Sequence, residues 1–152
     1  MKKLFVILFL ILTSLKVQAI EPLSHNALEK LLVDVNANHN VLKGCISLYS
    51  AVTELTRERY PKLANEFYES ANTLYPYGII SLSQIKKIPY EEAENFFFNN
   101  VTNLTNEYID EMNKNGKKNG SYFKGSFLGD DLFFCNEVAK SIKLIIMESL
   151  GE

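Results

Sequence analysis

The sequence predicts an all-α fold, and three observations carry that prediction. Apolar residues recur at spacings of three and four along most of the chain after residue 19. Most prolines and glycines fall between those segments, where they can end or begin helices. Cys45 and Cys135 lie in the two segments with the clearest helical spacing. We therefore expect a single-domain antiparallel bundle of four to five helices, whose first and last helices are joined by a disulfide.

The first 19 residues have the three-part pattern of a cleavable secretory signal peptide. Lys2 and Lys3 form a basic start, Leu4–Leu12 is an uninterrupted apolar run, and small residues precede the expected cleavage after residue 19. The apolar run is shorter than the roughly 20 residues that span a bilayer. We therefore predict a periplasmic or secreted protein, with residues 20–152 as one mature domain and no membrane span in it. An uncleaved N-terminal anchor is the alternative.

The charge of the predicted mature domain is mildly negative. The full chain has 16 basic and 18 acidic side chains. The predicted signal segment holds three of the lysines and no acid, which leaves 13 basic against 18 acidic side chains and a net charge of −5. Such a balance disfavours a general binder of nucleic acid or of anionic membranes.

The two cysteines are predicted to pair with each other. An exported chain enters an oxidising compartment, where an isolated pair of cysteines forms a disulfide. A bond between Cys45 and Cys135 would close a loop over most of the domain and stabilise it by about 4–5 kcal/mol in the chain-entropy model. Two free thiols are the alternative. The spacing does not match a C-x-x-C redox motif.

The first cysteine helix follows a polar stretch. Leu28–Val35 has helical spacing, and Asn36–Asn40 then combines residues of weak helix propensity. That stretch is either a break or a solvated part of one long helix. The apolar stripe that follows consists of Val41, Cys45, Leu48, Val52 and Leu55, and it is widened by Leu42, Ile46 and Tyr49. We expect a helix with a wide buried face there.

Prolines mark the next helices. Pro61 suits the first position of a helix, and Pro76 with Gly78 is expected to end that helix. Ile79–Ile88 is then predicted as a separate segment of two helical turns.

Pro89 begins a long helix with one continuous apolar stripe. The stripe consists of Phe97, Val101, Leu104, Tyr108 and Met112. Phe96 and Phe98 flank it, so we expect the first half of this helix to be buried on more than one side.

The segment Asn113–Asp130 interrupts the helical pattern and has the strongest functional character. It contains four of the seven glycines and four lysines in an otherwise acidic domain. We predict a loop whose first half is mobile and whose second half is held by its aromatic side chains. Long ordered loops often carry binding residues. The predicted partner-binding residues are Lys117, Lys118, Tyr122, Phe123, Lys124 and Phe127. A variable surface loop with its aromatics packed on the bundle is the alternative.

The last helix, Asp131–Leu150, is predicted to lie beside the first. Consecutive helices that alternate in direction place the first and last helices next to each other and antiparallel. The disulfide would then bring Leu42 beside Val138, and Val35 beside Ile145.

The chain lacks the motifs of common catalytic and cofactor sites. It contains no G-x-S-x-G, no H-E-x-x-H, no phosphate-binding glycine loop and no C-x-x-C-H. His25 and His39 lie off the best apolar stripe, and we expect both to be exposed. We therefore predict no catalytic residue, no metal site and no cofactor.

Two short motifs resemble those of small exported immunity proteins of the Rap1a/Tai type. One is Cys45-Ile46-Ser47-Leu48-Tyr49, a cysteine followed by an aromatic residue on a helix, and the other is Phe134-Cys135. The resemblance covers only these two segments. It implies a binding role rather than catalysis.

These observations favour a small exported helical protein that binds a protein or envelope partner and no nucleic acid. The alternatives are an immunity or inhibitor protein, an enzyme of unrecognised type and a periplasmic stress chaperone. A binding protein predicts a defined aromatic surface beside the loop. An enzyme requires a cleft with several ionisable groups of shifted pKa. A chaperone predicts exposed apolar area that grows on acidification.

Overall fold

The computed structural model describes residues 20–26, 28–31 and 33–150, and this part of the chain is all-helical, as predicted. A 3-10 turn and four long helices joined by short connections make up most of it. The elements are the turn Leu23–His25, α1 (Leu28–Leu31), α2 (Val35–Thr56), α3 (Pro61–Lys86), α4 (Tyr90–Asn119) and α5 (Leu128–Leu150). None of the described helices has the length and apolar content needed to cross a membrane. The predicted signal segment, residues 1–19, lies outside the described residues.

Helix α2 begins before its apolar stripe because a side chain caps it. The Asp34 carboxylate accepts hydrogen bonds from the backbone N–H groups of Asn36 and Ala37, at 2.8 and 3.3 Å. Of the two alternatives for Asn36–Asn40, the structure shows the helical one. The interruption lies instead at residues 33–34, where the chain forms a turn.

Helices α2 and α3 form a hairpin. Near one end of the pair, His39 Nδ1 lies 3.0 Å from Ser81 Oγ, and near the other end the Thr53 hydroxyl donates to the Ala64 carbonyl at 3.3 Å. Residue numbers fall along one helix as they rise along the other, so the two helices run in opposite directions. The contact buries His39, which is 7% exposed, so the prediction that this side chain is exposed is wrong.

Helix α3 continues through Pro76 and Gly78, where the sequence predicted its end. Pro76 lacks the N–H that would bond the Asn72 carbonyl, but both residues are exposed, so water can satisfy that carbonyl. Gly78 is buried, and a Cβ at this position would overlap the ring of Phe97 in α4. The predicted end at residues 76–78 and the separate segment Ile79–Ile88 are therefore wrong, because one helix runs through residue 76 and continues to Lys86.

Helix α4 begins after Pro89, as predicted, and buries a single stripe. The buried members of the stripe are Phe97, Val101, Tyr108 and Met112. The flanking Phe96 and Phe98 are 47% and 60% exposed, which contradicts the predicted burial on more than one side. Neighbouring residues of a helix point roughly 100° apart, so these two rings lie on either side of the stripe.

Helix α2 is the centre of the core. Its contacts with α3 and with α4 are the two most extensive contacts between elements of the fold. Its buried residues run almost without interruption from Val41 to Val52, which confirms the wide buried face. Hydrogen bonds from Ser47 Oγ to the Val101 carbonyl and from Thr105 Oγ1 to the Ser47 carbonyl connect α2 to α4.

The predicted disulfide is present and joins α2 to α5. Cys45 and Cys135 are fully buried, and their Cα atoms are 5.3 Å apart. The disulfide therefore joins two helices through cysteines that are 90 residues apart in sequence. Beyond the bond, Val35 and Ile145 are 37% and 57% exposed. The antiparallel register that would place these two residues side by side stays a prediction.

Candidate binding site

An open groove lies where the connection between α2 and α3 meets the end of α4 and the loop that follows it. The groove has a volume of about 510 Å³, and the residues that line it include Arg59, Tyr60, Asn113, Lys117, Ser121 and Tyr122. Both charged side chains in the lining are cationic, and the two aromatic side chains are tyrosines. This combination suits a ligand that carries negative charge and can lie against an aromatic ring.

One buried amide holds the loop of residues 120–127 in shape. The two N–H groups of Asn115 Nδ2 are shared among three backbone carbonyls, those of Ser121, Tyr122 and Lys124, at 2.8, 3.0 and 3.0 Å. Its Oδ1 accepts a hydrogen bond from Asn119 Nδ2 at 2.6 Å. Because Asn115 is 7% exposed and uses all its polar atoms, it fixes these carbonyls relative to α4. The loop is therefore a preformed wall of the groove.

Turn chemistry completes the loop. Gly120 has a φ of 68°, a left-handed conformation that ends α4 and that glycine adopts without strain. Ser121 Oγ then accepts from the backbone N–H groups of Phe123 and Lys124, at 3.3 and 3.2 Å. A Cβ at Gly116 would lie 3.2 Å from the Tyr122 ring. The missing side chain at Gly116 thus lets that ring lie on the surface of α4.

The loop is shorter than the sequence predicted. Helix α4 continues to Asn119, so the stretch from Asn113 that was predicted to be mobile is helical, and that prediction is wrong. Lys117 and Lys118 lie in the last turn of this helix, where positive charge complements the helix dipole. That placement supplies a structural reason for both lysines besides a functional one.

Two of the six predicted partner-binding residues, Lys117 and Tyr122, line the groove. Tyr122, Phe123 and Phe127 pack partly against the core, which confirms that aromatic side chains hold the second half of the loop. The two remaining lysines are exposed and are not among the lining residues. The structure therefore divides the six residues between the groove, the core and the open surface.

Sequence reasoning missed Arg59 and Tyr60, which also line the groove. They precede Pro61 in the connection between α2 and α3, and Tyr60 is 59% exposed. A cation and an aromatic residue just before a helix are a local signal. The sequence does not show that this connection meets the end of α4, because that contact depends on how the helices pack.

Four of the described side chains have shifted pKa values, and none of them lines the groove: His39, Tyr49, Tyr75 and Tyr108. Burial lowers the pKa of His39, and the charge of Lys43 lowers it further, against a hydrogen bond with the Gly78 backbone that raises it. Burial raises the pKa of Tyr49 and that of Tyr108. Tyr49 Oη donates to Asn136 Oδ1 at 3.1 Å, so this hydroxyl has a structural role.

The pair of His39 and Ser81 has the residue types of a base and a nucleophile in the wrong arrangement. The Ser81 hydroxyl donates to the Gly78 carbonyl at 2.7 Å, so its oxygen accepts from His39 Nδ1. A catalytic base needs the opposite polarity, because it removes the proton of the hydroxyl. Ser81 is also only 4% exposed. We interpret the pair as a contact that joins two helices.

A second buried polar group attaches the N-terminal segment to α5. Asp131 is fully buried, and its Oδ1 accepts from the Ser24 backbone N–H at 2.9 Å. Within the described residues, Asp131 Oδ2 and Tyr108 Oη are buried without a hydrogen-bond partner. The Asp131 charge also contributes, after burial, to the raised pKa of Tyr108. Buried polar groups of this kind lower stability, so the contact with Ser24 offsets part of the cost of burying Asp131.

Over the ranges that the structure describes, no group of three or more His, Cys, Asp or Glu side chains is placed to hold a metal ion. No family model, curated protein or solved structure matches this chain. The function is therefore inferred from the geometry of the groove.

Proposed function

We propose that this is a small exported helical protein that binds an anionic segment of a protein or envelope partner in the groove between Tyr60 and Tyr122. The observation that supports this proposal most is that Arg59 and Lys117, the two charged residues of the lining, belong to the same groove. The three ion pairs in the described part of the chain use other side chains, so both cations can bind a ligand.

The preformed loop supports binding because it lowers the cost of ordering the site. A flexible wall would lose conformational entropy when a ligand binds, whereas hydrogen bonds to Asn115 already hold Ser121 and Tyr122 in place. Exposed charge pairs contribute only about 0.2–1 kcal/mol each. We therefore expect specificity to come from the tyrosines and the shape of the wall, and the charges to orient the ligand.

Export and architecture belong to the same proposal. The disulfide between Cys45 and Cys135 agrees with a protein that matures in an oxidising compartment. Removal of residues 1–19, and an α5 that runs antiparallel to α2, are the finer parts of this proposal. An immunity or inhibitor protein is the specific alternative, since it would also act by binding one protein partner.

A photocrosslinking experiment in cells of the source organism tests the proposal. A benzoylphenylalanine replaces Tyr60 in the full chain, and the matched control carries it at Tyr68, a tyrosine of similar exposure two turns along α3, at 55% against 59%. We expect a discrete adduct from position 60 and none from position 68. Protease digestion of the adduct distinguishes a protein partner from an anionic polymer.

Charge reversal completes the test. Arg59→Glu combined with Lys117→Glu should abolish the adduct at position 60, because both cations in the lining become anions. An adduct that survives the reversal, or identical adducts from both crosslinker positions, would overturn the proposal.

A further inference from the structure

The face of α5 that points away from the core carries a self-complementary stripe. Phe133, Glu137, Lys140 and Leu144 follow one another at spacings of four, three and four residues, which places them on one seam of the helix. Phe133 and Leu144 are 69% and 59% exposed. The side chains of Lys140 and Glu137 are 71% and 41% exposed.

Among the residues that the structure describes, the fold leaves Phe133 and Leu144 of this stripe largely exposed. The opposite face of α5 packs on the core through Leu128, Asp131, Cys135 and Val138, all of them buried. A large aromatic and a leucine on the outer face of one helix, with a charge pair between them, are therefore available to another molecule.

We propose that a second copy of this chain covers the stripe, with the two α5 helices antiparallel. A spacing of four, three and four reads the same in both directions, so a two-fold axis at its centre matches the stripe to itself. Phe133 then meets Leu144 of the second copy, and Glu137 meets Lys140 of the second copy. Each contact occurs twice. The first joins two apolar side chains, and the second joins two side chains of opposite charge.

The charge pattern selects the antiparallel arrangement. If the helices were parallel and in register, Glu137 would face Glu137 of the second copy, and Lys140 would face Lys140. Both contacts would be repulsive. Within one chain, Lys140 Nζ lies 2.8 Å from Glu137 Oε1. In the antiparallel pair the four charges alternate, so neither side chain loses a partner of opposite charge.

The size of the stripe sets the expected strength. Stable interfaces bury about 1,200–2,000 Å² in total, and one pair of helices in contact over a few turns covers less than that. We therefore expect reversible self-association with a dissociation constant in the micromolar range. This inference concerns a different surface from the groove and does not depend on the proposed function.

Sedimentation velocity of the purified, disulfide-bonded protein tests the inference over a hundredfold range of concentration through the micromolar region. The weight-average sedimentation coefficient of the wild type should rise with concentration from the value of a monomer toward that of a dimer. Glu137→Lys and Lys140→Glu should each remain monomeric, because each variant places like charges opposite each other. An equimolar mixture of the two variants should dimerise again, since a doubly basic stripe then meets a doubly acidic one. Mixing cannot restore an ion pair within one chain, so recovery identifies a contact between chains.

Two apolar variants supply the matched comparison. Leu144→Ser should remain monomeric, whereas Phe98→Ser should dimerise like the wild type, because Phe98 has a similar exposure of 60% but lies on α4. A wild-type protein that stays monomeric throughout the range would overturn the inference. So would a variant mixture that stays monomeric while the wild type dimerises, or an equal effect of the two serine substitutions.

Discussion

Replacing Gly78 by alanine tests the contact that sets how closely α3 and α4 approach, and two effects of opposite sign compete there. Alanine in a helix interior is favoured over glycine by about 1 kcal/mol. However, a Cβ at Gly78 would lie 2.8 and 2.9 Å from Cε1 and Cε2 of Phe97, well inside normal contact. The sign of the change in stability depends on whether that ring can withdraw.

The surroundings of Phe97 leave its ring little room. Phe97 is fully buried, and its ring lies edge-on to His39 and to Tyr75, with centroids 5.7 and 5.3 Å away. Overpacking of a well-packed core costs about 1–3 kcal/mol, and each disturbed aromatic contact adds about 0.5–1.5 kcal/mol. These costs exceed the gain in helix propensity. After subtraction of that gain, we expect Gly78→Ala to lower the free energy of unfolding by about 1–5 kcal/mol.

Urea unfolding of the disulfide-bonded protein, followed by circular dichroism, measures this change. Gly129→Ala is the matched control, since a Cβ there would lie 3.7 Å from the Phe123 carbonyl oxygen, an ordinary contact. That variant should be neutral, or more stable by up to about 1 kcal/mol. Adding Phe97→Leu to Gly78→Ala should recover part of the loss. The reasoning is refuted if Gly78→Ala is as stable as the wild type, or if the two alanine variants behave alike.

Three further changes test other parts of the molecule. Serine at both Cys45 and Cys135 should lower the free energy of unfolding by about 4–5 kcal/mol, because the bond closes a loop with a sequence separation of 90; an unchanged urea midpoint would contradict this. Asn115→Ala should lower the free energy of unfolding by about 2–4 kcal/mol, because it removes the donors that three loop carbonyls share. Amide hydrogen exchange at residues 121–124 should then become faster. Unchanged exchange would show that other contacts hold the loop. Because burial lowers the pKa of His39 in the folded protein, the unfolded chain binds this proton more readily than the folded protein does. The contribution of the neutral, buried His39 to the stability of the fold is therefore complete above its unfolded-state pKa of about 6.5. That contribution is lost as the pH falls below this value. Urea midpoints measured from neutral to acidic pH should fall less steeply for His39→Asn, and parallel curves would argue against this role of His39.

Helix positions and the disulfide follow from local pattern. The broad stripe around Cys45 predicts a helix that is buried on most of its surface, and α2 has that form. Spacing of three and four residues is a property of the chain itself, so it survives whatever the helix packs against. The cysteine pair is equally simple, because Cys45 and Cys135 have only each other as partners.

Helix ends are less well predicted, because local breakers compete with packing. Pro76 and Gly78 were expected to end α3. However, Pro76 is exposed to solvent, and the absence of a side chain at Gly78 leaves room for the Phe97 ring. Asn113–Asn119 was expected to be a loop, but Asn115 binds the loop carbonyls from within the helix. At Gly78 and at Asn115, contacts that form only in the folded structure outweigh weak helix propensity.

The residues of the candidate site were also only partly predictable from the sequence. The composition of the loop alone singled out Lys117 and Tyr122, which line the groove, together with other residues that do not. Only the tertiary structure brings Arg59 and Tyr60 to the same groove, and only it shows that Phe96 and Phe98 are exposed. Whether a side chain faces solvent, the core or a cavity depends on segments that are distant in sequence. A local pattern determines which residues share a helix face, and the packing of the helices decides what that face meets.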